Sequence, residues 1–265
     1  MKVNMQGNKD EEQSFGAKIK HFFKKLWAGT ERVIFPANIK CLICGRDLPK
    51  KQEIEFCPEC AKHLGKIEEG KCCSVCGAIL KTSNVCLNCK KVKREFDKAR
   101  AVYVYQGDMQ KLIINFKFHN KPYISRTLGK ALADKFKELD WKIDVVLPVP
   151  LTNKRYKSRG YNQAELLANE FIKQTGLVLN TNVLQKTKDT EQQVKLGFQE
   201  RQTNLKKTFK IINADAIKDK NVLLIDDVFT TGATANACSL YLKDAGAKKV
   251  YVLCVASTRP DLPTA

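Results

Sequence analysis

The sequence predicts an α/β domain built on a parallel sheet, preceded by a pair of small cysteine-built zinc ribbons. Three observations carry that expectation. Nine of the eleven cysteines fall between Cys41 and Cys89, and only Cys238 and Cys254 lie beyond. After residue 100, short apolar runs alternate with helical stretches, the rhythm of strands joined by crossover helices. Runs such as VLLI at 222–225 and VYVLCVAS at 250–257 are continuously apolar, as strands covered on both faces are.

The order of elements divides the 265 residues into three expected parts: a basic amphipathic helix at 1–36, the double zinc ribbon at 37–98 and the α/β domain at 99–265. In the first part Phe15, Ile19, Phe22, Phe23 and Leu26 recur at helical spacing with Lys18, Lys20, Lys24 and Lys25 between them, and Pro36 ends the pattern. In the third part AVYVY at 101–105 reads as a strand and a helix follows to about residue 138. IDVVLPVP at 143–150 is the next strand, then come a helix from 162 to about 175 and a polar stretch at 185–208. The strand at 222–225 precedes a helix at 234–245 that ends at Gly246, before the last strand.

Four CxxC pairs organise the ribbons: Cys41 with Cys44, Cys57 with Cys60, Cys73 with Cys76, and Cys86 with Cys89. Each CxxC turn presents two thiolates on one knuckle, and two knuckles complete the tetrahedral sulfur shell that Zn²⁺ prefers. Gly45 and Gly77 follow the second cysteine of a knuckle, where a positive φ turns backbone N–H groups toward sulfur. Two structural zinc sites follow, one on Cys41, Cys44, Cys57 and Cys60 and the other on Cys73, Cys76, Cys86 and Cys89. Cys72 competes with Cys73 as a ligand, the regular spacing favouring Cys73; interleaved pairing stands open beside the simpler sequential one. With both shells full, His63 reads as a surface residue.

The formal charge is +19, and two four-thiolate zinc sites reduce it to about +15. Basic residues exceed acidic ones in every part of the chain, 8 to 4 in residues 1–40, 13 to 8 in 41–100 and 26 to 16 in 101–265, so no single tail explains the excess. A polyanionic partner fits that distribution. No apolar run reaches the roughly 18 residues of a transmembrane helix and no secretory signal opens the chain. The expected location is cytoplasmic, at most peripheral at the inner face of the membrane.

The most informative stretch is VLLIDDVFTTGAT at 222–234: an apolar strand, two carboxylates, then a hydroxyl-rich loop entering a helix. Backbone N–H groups of Thr230, Thr231, Gly232 and Ala233, with the hydroxyls of Thr230, Thr231 and Thr234, suit a phosphate at the positive end of the helix. Asp226 and Asp227 stand at the carboxyl end of the strand, where open α/β sheets bind ligands, and suit sugar hydroxyls.

This stretch resembles the phosphoribosyl pyrophosphate fingerprint of type I phosphoribosyltransferases. The resemblance implies a parallel sheet of about five strands, with Asp226 and Asp227 as the catalytic pair on the ribose and residues 230–234 on the 5-phosphate. It further implies Mg²⁺ with the ligand, and a pyrophosphate loop at Val149, Pro150, Leu151 and Thr152. KSRGYNQAELLA at 157–168, KTKDTEQQ at 186–193, and Arg201 with Asn204 resemble the ComF family, competence proteins that join a double zinc ribbon to such a domain. Lys117 fits a family position, whereas Lys186 stands where the family often has Arg, exchanging a planar fork for a point charge. Arg155 and Arg159 suit pyrophosphate oxygens, and the polar stretch 186–204 suits a flap over the ligand.

The family resemblance implies DNA uptake in natural transformation, with single-stranded DNA and a helicase-like ATPase as partners. The basic excess and aromatics such as Phe118, Tyr123, Tyr156 and Tyr161 suit a single strand. Two alternatives are an active phosphoribosyltransferase with an unidentified acceptor and a phosphoribosyl pyrophosphate-sensing interaction scaffold.

Overall fold

The computed structural model describes residues 40–48, 54–80, 83–187 and 208–258. The amphipathic segment at 1–36 and nearly all of the expected flap at 186–204 lie outside them.

Each ribbon contributes one short helix that starts on a cysteine. Cys57 caps α1 (Pro58–His63) and Cys86 caps α2 (Leu87–Lys91), each sulfur accepting a hydrogen bond from the backbone N–H of the cysteine three residues on. The remaining elements are β1 (Lys98–Val104), α3 (Gly107–Phe118), α4 (Ile124–Lys137), β2 (Val145–Pro148), α5 (Asn153–Arg159) and α6 (Gln163–Thr175), followed by β3 (Leu184–Lys186), β4 (Phe209–Ile211), β5 (Asn221–Phe229), α7 (Ala233–Asp244) and β6 (Lys249–Ser257). The expected single helix up to residue 138 is two helices. His119 ends α3, Asn120 takes a positive φ of 49°, and Pro122 follows, a sequence of residues that cannot continue a helical ladder. The helix expected from residue 162 is α6, capped by the Asn162 side chain on Ala164 N–H and closed at Gly176 with φ +71°.

The sheet has the order β1-β6-β5-β2, every pair parallel. About five strands were expected. Among the described residues the fifth is reduced to one parallel bridge, Val146 with Leu179, held by Val146 N–H to Val178 O (2.8 Å) and Asn180 N–H to Val146 O (3.0 Å). The segment there is short, bounded by Gly176 and by Asn180, whose side chain accepts from Asn182 N–H. β3 and β4 form a separate antiparallel pair on either side of residues 188–207, at the ends of a stretch that read as polar loop.

Alternate residues of the central strands serve different layers. Val222 and Leu224 of β5 join Cys238 and Leu242 of α7 and Leu184 and Phe209 of the β3–β4 pair. Leu223 and Ile225 join Phe116 of α3, Leu128 and Leu132 of α4 and Leu167 and Phe171 of α6. The continuous apolar runs are therefore strands buried on both faces. Along β5 the chain arrives from β2 on one side and leaves for β6 on the other, so the carboxyl ends of β5 and β2 form the crevice where the connections diverge.

Candidate functional site

The cysteines gather into two clusters, Cys41, Cys44, Cys57, Cys60 and Cys73, Cys76, Cys86, Cys89, with all four sulfurs of each within 4.8 Å of one another. The pairing is sequential and Cys73 is the member of the second cluster. Cys72 instead sits in a bridge with Ile79 and joins the apolar core. A tetrahedron with Zn–S arms of about 2.3 Å has edges of about 3.8 Å. The Cys44–Cys57 and Cys76–Cys86 sulfurs lie 3.7 and 3.6 Å apart, near that edge and far beyond the roughly 2.05 Å of a disulfide. Backbone N–H groups support the sulfur charge: Cys57 and Cys60 donate to Cys41 and Cys57, and Cys86 and Cys89 to Cys73 and Cys86, each at 3.4 Å. Arg46 donates to Cys44 Sγ at 3.4 Å and pulls that thiol down to about 6. The donor sets fit two Zn²⁺ ions with no coordination position left for a reacting water. His63 is exposed.

At the other end of the chain, β5 delivers its two carboxylates to opposite sides of the sheet. Asp226 faces a crevice lined by Arg155, Lys186, Thr230, Thr231, Gly232 and Thr234, among others. Burial and the Asp227 charge push Asp226 up to about 7, while Lys117 and Lys186 oppose the shift and Asp227 N–H donates to Asp226 Oδ1 at 2.8 Å. Asp227 turns to the α3 side and pairs with Lys117 Nζ at 2.9 Å. Burial alone would lower the Lys117 ammonium, but the Asp227 carboxylate overrides it and holds its pKa above the ordinary lysine value. The loop reaches α7 through Gly232 at φ +76°, a conformation that L side chains rarely adopt, and Thr231 Oγ1 accepts from Ala233 N–H at 3.3 Å.

The crevice gathers Asp226, Thr230, Thr231, Gly232, Ala233, Thr234 and Arg155. Asp227 and Lys117 stand behind it as a pair. Thr152 caps α5 by accepting from Arg155 N–H at 3.4 Å, and Val149 O accepts from Asn162 Nδ2, so the loop of Val149, Pro150 and Leu151 is tied to α5 and α6 without lining the crevice. Arg159, expected at pyrophosphate oxygens, is turned elsewhere. Its guanidinium lies 4.9 Å over the Phe118 ring and donates to Gln163 Oε1 at 3.0 Å, because it projects from the last turn of α5 toward α3 and α6. Lys186, whose role the sequence left in doubt, reaches the crevice from β3 and also covers the Phe209 ring at 5.7 Å. The alternation Leu184, Gln185, Lys186 against Phe209, Lys210, Ile211 was the available signal, weak because each strand has three residues. Of the four aromatics considered for base stacking, Phe118 and Tyr156 are exposed, whereas Tyr161 is spent on Phe116, by ring contact and by a hydroxyl bond to its carbonyl.

Comparison with known proteins agrees with both halves. A model described as phosphoribosyl transferase domain matches residues 117–262, and one described as double zinc ribbon domain matches residues 31–90. Competence protein F of Haemophilus influenzae is 31% identical over 222 residues, covering 81% of this chain and 95% of that protein. Competence protein ComFC of Bacillus subtilis is 26% identical over 226 residues, covering 78% and 89%. DNA utilization protein YhgH of Salmonella typhi is 24% identical over 223 residues, covering 82% and 90%. With two sulfur clusters at one end, a diverging-strand crevice at the other and a relative similar over nearly its full length, the chain belongs to the ComF family of competence proteins, a double zinc ribbon joined to a phosphoribosyltransferase domain.

Proposed function

We propose that this protein handles single-stranded DNA during DNA uptake, beside a helicase-like ATPase in the cytoplasm or at the inner face of the membrane, and that its crevice binds 5-phosphoribosyl pyrophosphate with Mg²⁺. The observation that carries the ligand reading is the crevice at β5 and α7. It combines a backbone cradle at a helix N-terminus, hydroxyls, one carboxylate and two cations. That donor set fits a phosphorylated sugar bearing a diphosphate. Backbone N–H groups of Thr231, Gly232 and Ala233 bind the 5-phosphate, Asp226 accepts from ribose hydroxyls, and Arg155 and Lys186 balance the diphosphate. Mg²⁺ supplies further neutralisation of that charge when bound. Lys117 holds Asp227 in place from behind.

The DNA reading rests on relatives named as competence and DNA utilization proteins, and on one surface. Phe118 and Tyr156 expose their rings beside Lys154, Lys157 and Arg159, so bases can stack while phosphates meet cations.

Calorimetric titration of the zinc-loaded chain with phosphoribosyl pyrophosphate and Mg²⁺ tests the crevice. Asp226→Asn is expected to weaken binding about tenfold or more, since a hydrogen bond to a charged group contributes roughly 1.5–3 kcal/mol. Burial and the Asp227 charge raise Asp226 to about 7, so wild-type affinity should fall more steeply on acidification from 7 than that of Asp226→Asn, in which only the phosphates of the ligand, with a second pKa near 6, titrate. No binding by the wild type would remove the ligand reading. For the strand, anisotropy with a labelled single-stranded oligonucleotide should show binding that weakens steeply with salt and about tenfold in Phe118→Ala. Binding indifferent to salt would sink the electrostatic account.

A further inference from the structure

The second zinc ribbon and the phosphate loop are linked by a short run of residues, Arg94 to Asp97, that neither site explains. Its contacts form a line. Phe96 shares one apolar core with Cys73, Cys76 and Cys86 of the second ribbon, with Cys89 packed against it, and Arg94 stands 5.9 Å over the Phe96 ring. Phe96, 2% exposed, meets Phe229 edge to face with ring centroids 5.8 Å apart and planes at 82°. Phe229 in turn lies directly under Gly232, where a Cβ would overlap its ring. The same run grips α7 itself. Glu95 N–H donates to Asn236 Oδ1 at 2.8 Å in the first turn of the helix, while Asn236 N–H donates to Gly232 O at 2.8 Å. Asp97 pairs with Lys243 at 2.7 Å in the last turn and accepts from Val250 N–H at 2.8 Å.

We propose that Phe96 and Asn236 are positioning residues for the phosphate loop, and that through them the second zinc ribbon, and not the first, sets the geometry of residues 230–233. The physical case is one of constraint. Gly232 holds a left-handed conformation that turns successive N–H groups toward one point, and an isolated glycine visits that conformation and its mirror about equally. Selection of one state must come from what packs against the loop. Beneath it is the Phe229 ring, held against Phe96, and Phe96 is packed in the same core as Cys73, Cys76 and Cys86 of the second ribbon. The Asn236 side chain ties the first turn of α7, into which the loop runs, to the backbone of Glu95. Among the described residues the first ribbon has no such line: its Phe56 meets Tyr103 of β1, with centroids 6.4 Å apart, and its Glu55 meets Thr127 of α4. Coupling of this kind is reciprocal, so a ligand that orders the loop must also tighten the second zinc site.

The ligand arm of this inference rests on the proposed phosphoribosyl pyrophosphate binding; the loop arm does not, and the two are read separately. In the zinc-loaded full chain without ligand, amide hydrogen exchange followed by mass spectrometry should show the peptide spanning 229–234 exchanging about tenfold faster in Phe96→Ala and in Asn236→Ala. Phe96→Leu, which refills most of the volume, should restore much of the protection, and Phe56→Leu should leave the loop at its wild-type rate. Circular dichroism and protection in β6 identify a variant that has unfolded rather than loosened locally, and Asn236→Ala, at the helix surface of the contact, decides the matter if Phe96→Ala does not fold. Unchanged loop exchange in folded Asn236→Ala, and in Phe96→Ala where it folds, would overturn the positioning role whatever the ligand does. In the second arm, cysteine alkylation in the presence of a chelator, mapped by mass spectrometry, should be slowed severalfold at Cys86 and Cys89 by Mg²⁺ with phosphoribosyl pyrophosphate and unaltered at Cys41 and Cys60. Equal slowing at both clusters would overturn the selective coupling. Binding by calorimetry with no slowing at either would overturn coupling while leaving the ligand reading intact, and no binding would defeat only the ligand reading, with loop exchange still deciding the positioning role.

Discussion

The two ribbons share one cysteine pattern and one local geometry, down to the 3.4 Å bonds to sulfur, yet they are attached to the domain in different ways. The first keeps a small core of its own, Cys41, Leu48 and Cys57 with Ile43 and Cys60 against them, and leaves Cys44 exposed. It touches the domain through Phe56, Leu64 and Glu55. Among the described residues the second has no core of its own: Cys72, Cys73, Cys76 and Cys86 belong to the same apolar cluster as Val222, Cys238 and Val252. A zinc site with a private core can be lost locally, whereas one that shares the core of the sheet takes packed side chains with it. Nearly identical sequence motifs thus carry different energetic weight, decided by what lies outside the motif.

The largest expected effect breaks the symmetry directly. Cys86→Ser removes a ligand from the second site and leaves its neighbours unconstrained inside the core; loss of a metal is among the few single changes that exceed about 4 kcal/mol. At roughly 2–4 °C per kcal/mol for a domain of this size, the thermal midpoint of the sheet should fall by about 8–16 °C. Cys44→Ser should also release one zinc, measured by metal content, but should move the midpoint of the sheet by no more than about 3 °C. Equal shifts would mean that both ribbons are integral to the domain.

A smaller effect comes from two glycines at corresponding positions. Gly45 and Gly77 both adopt a positive φ, +72° and +70°. Beyond Gly45 a Cβ meets nothing within 4 Å, so Gly45→Ala costs only the left-handed conformation, about 1–2 kcal/mol. A Cβ on Gly77 would meet Ala99 O at 2.7 Å and Arg100 Cα at 3.2 Å, backbone atoms of β1 that cannot swing aside. Gly77→Ala should therefore cost about 1–3 kcal/mol more than Gly45→Ala, read as a lower urea midpoint for the sheet.

The same contrast shows what the sequence could and could not reveal. The ribbons, the strands of the sheet and the loop at 230–234 were legible because each rests on a local rule: ligand spacing, unbroken apolar runs, a small-residue loop opening a helix. The break between α3 and α4 was written in Asn120 and Pro122 but was masked by apolar residues continuing on both sides. The place of Arg159 over Phe118 and the arrival of Lys186 at Asp226 depend on contacts between residues 40 or more apart in sequence, so no local period announces them. Nor could equal motifs reveal unequal burial. Phe96 reads as one apolar residue in KVKREFDK, and only the fold puts it against Phe229 in the core that also holds Cys73, Cys76 and Cys86.

The smallest effect concerns charge at the seam. Glu69, just before the second ribbon, bridges Arg100 of β1 at 2.8 Å and Lys135 of α4 at 3.0 Å, and both cations are buried. Arg100 also donates to Cys73 O and Ser74 O, so the pair bears on the first knuckle of that ribbon. Glu55 of the first ribbon meets the neutral hydroxyl of Thr127. Burial alone would raise the Glu69 carboxyl, but Arg100 and Lys135 override it and hold its pKa below the ordinary glutamate value. The folded pKa is then lower than the unfolded one, near 4.3, so the native state binds fewer protons there and gains stability as pH rises. That contribution is complete above the unfolded value and disappears as pH falls through the folded one. Because Glu69 is about a third exposed, solvent reduces the pair to roughly 1 kcal/mol. Glu69→Gln should accordingly be less stable than wild type by a constant amount between pH 6 and 8, with the gap closing below about pH 4 in urea unfolding followed across pH. A gap that persists unchanged at pH 3 would show that Glu69 joins the second ribbon to the sheet by shape and hydrogen bonding rather than by charge, and the seam would then differ from that of the first ribbon in packing alone.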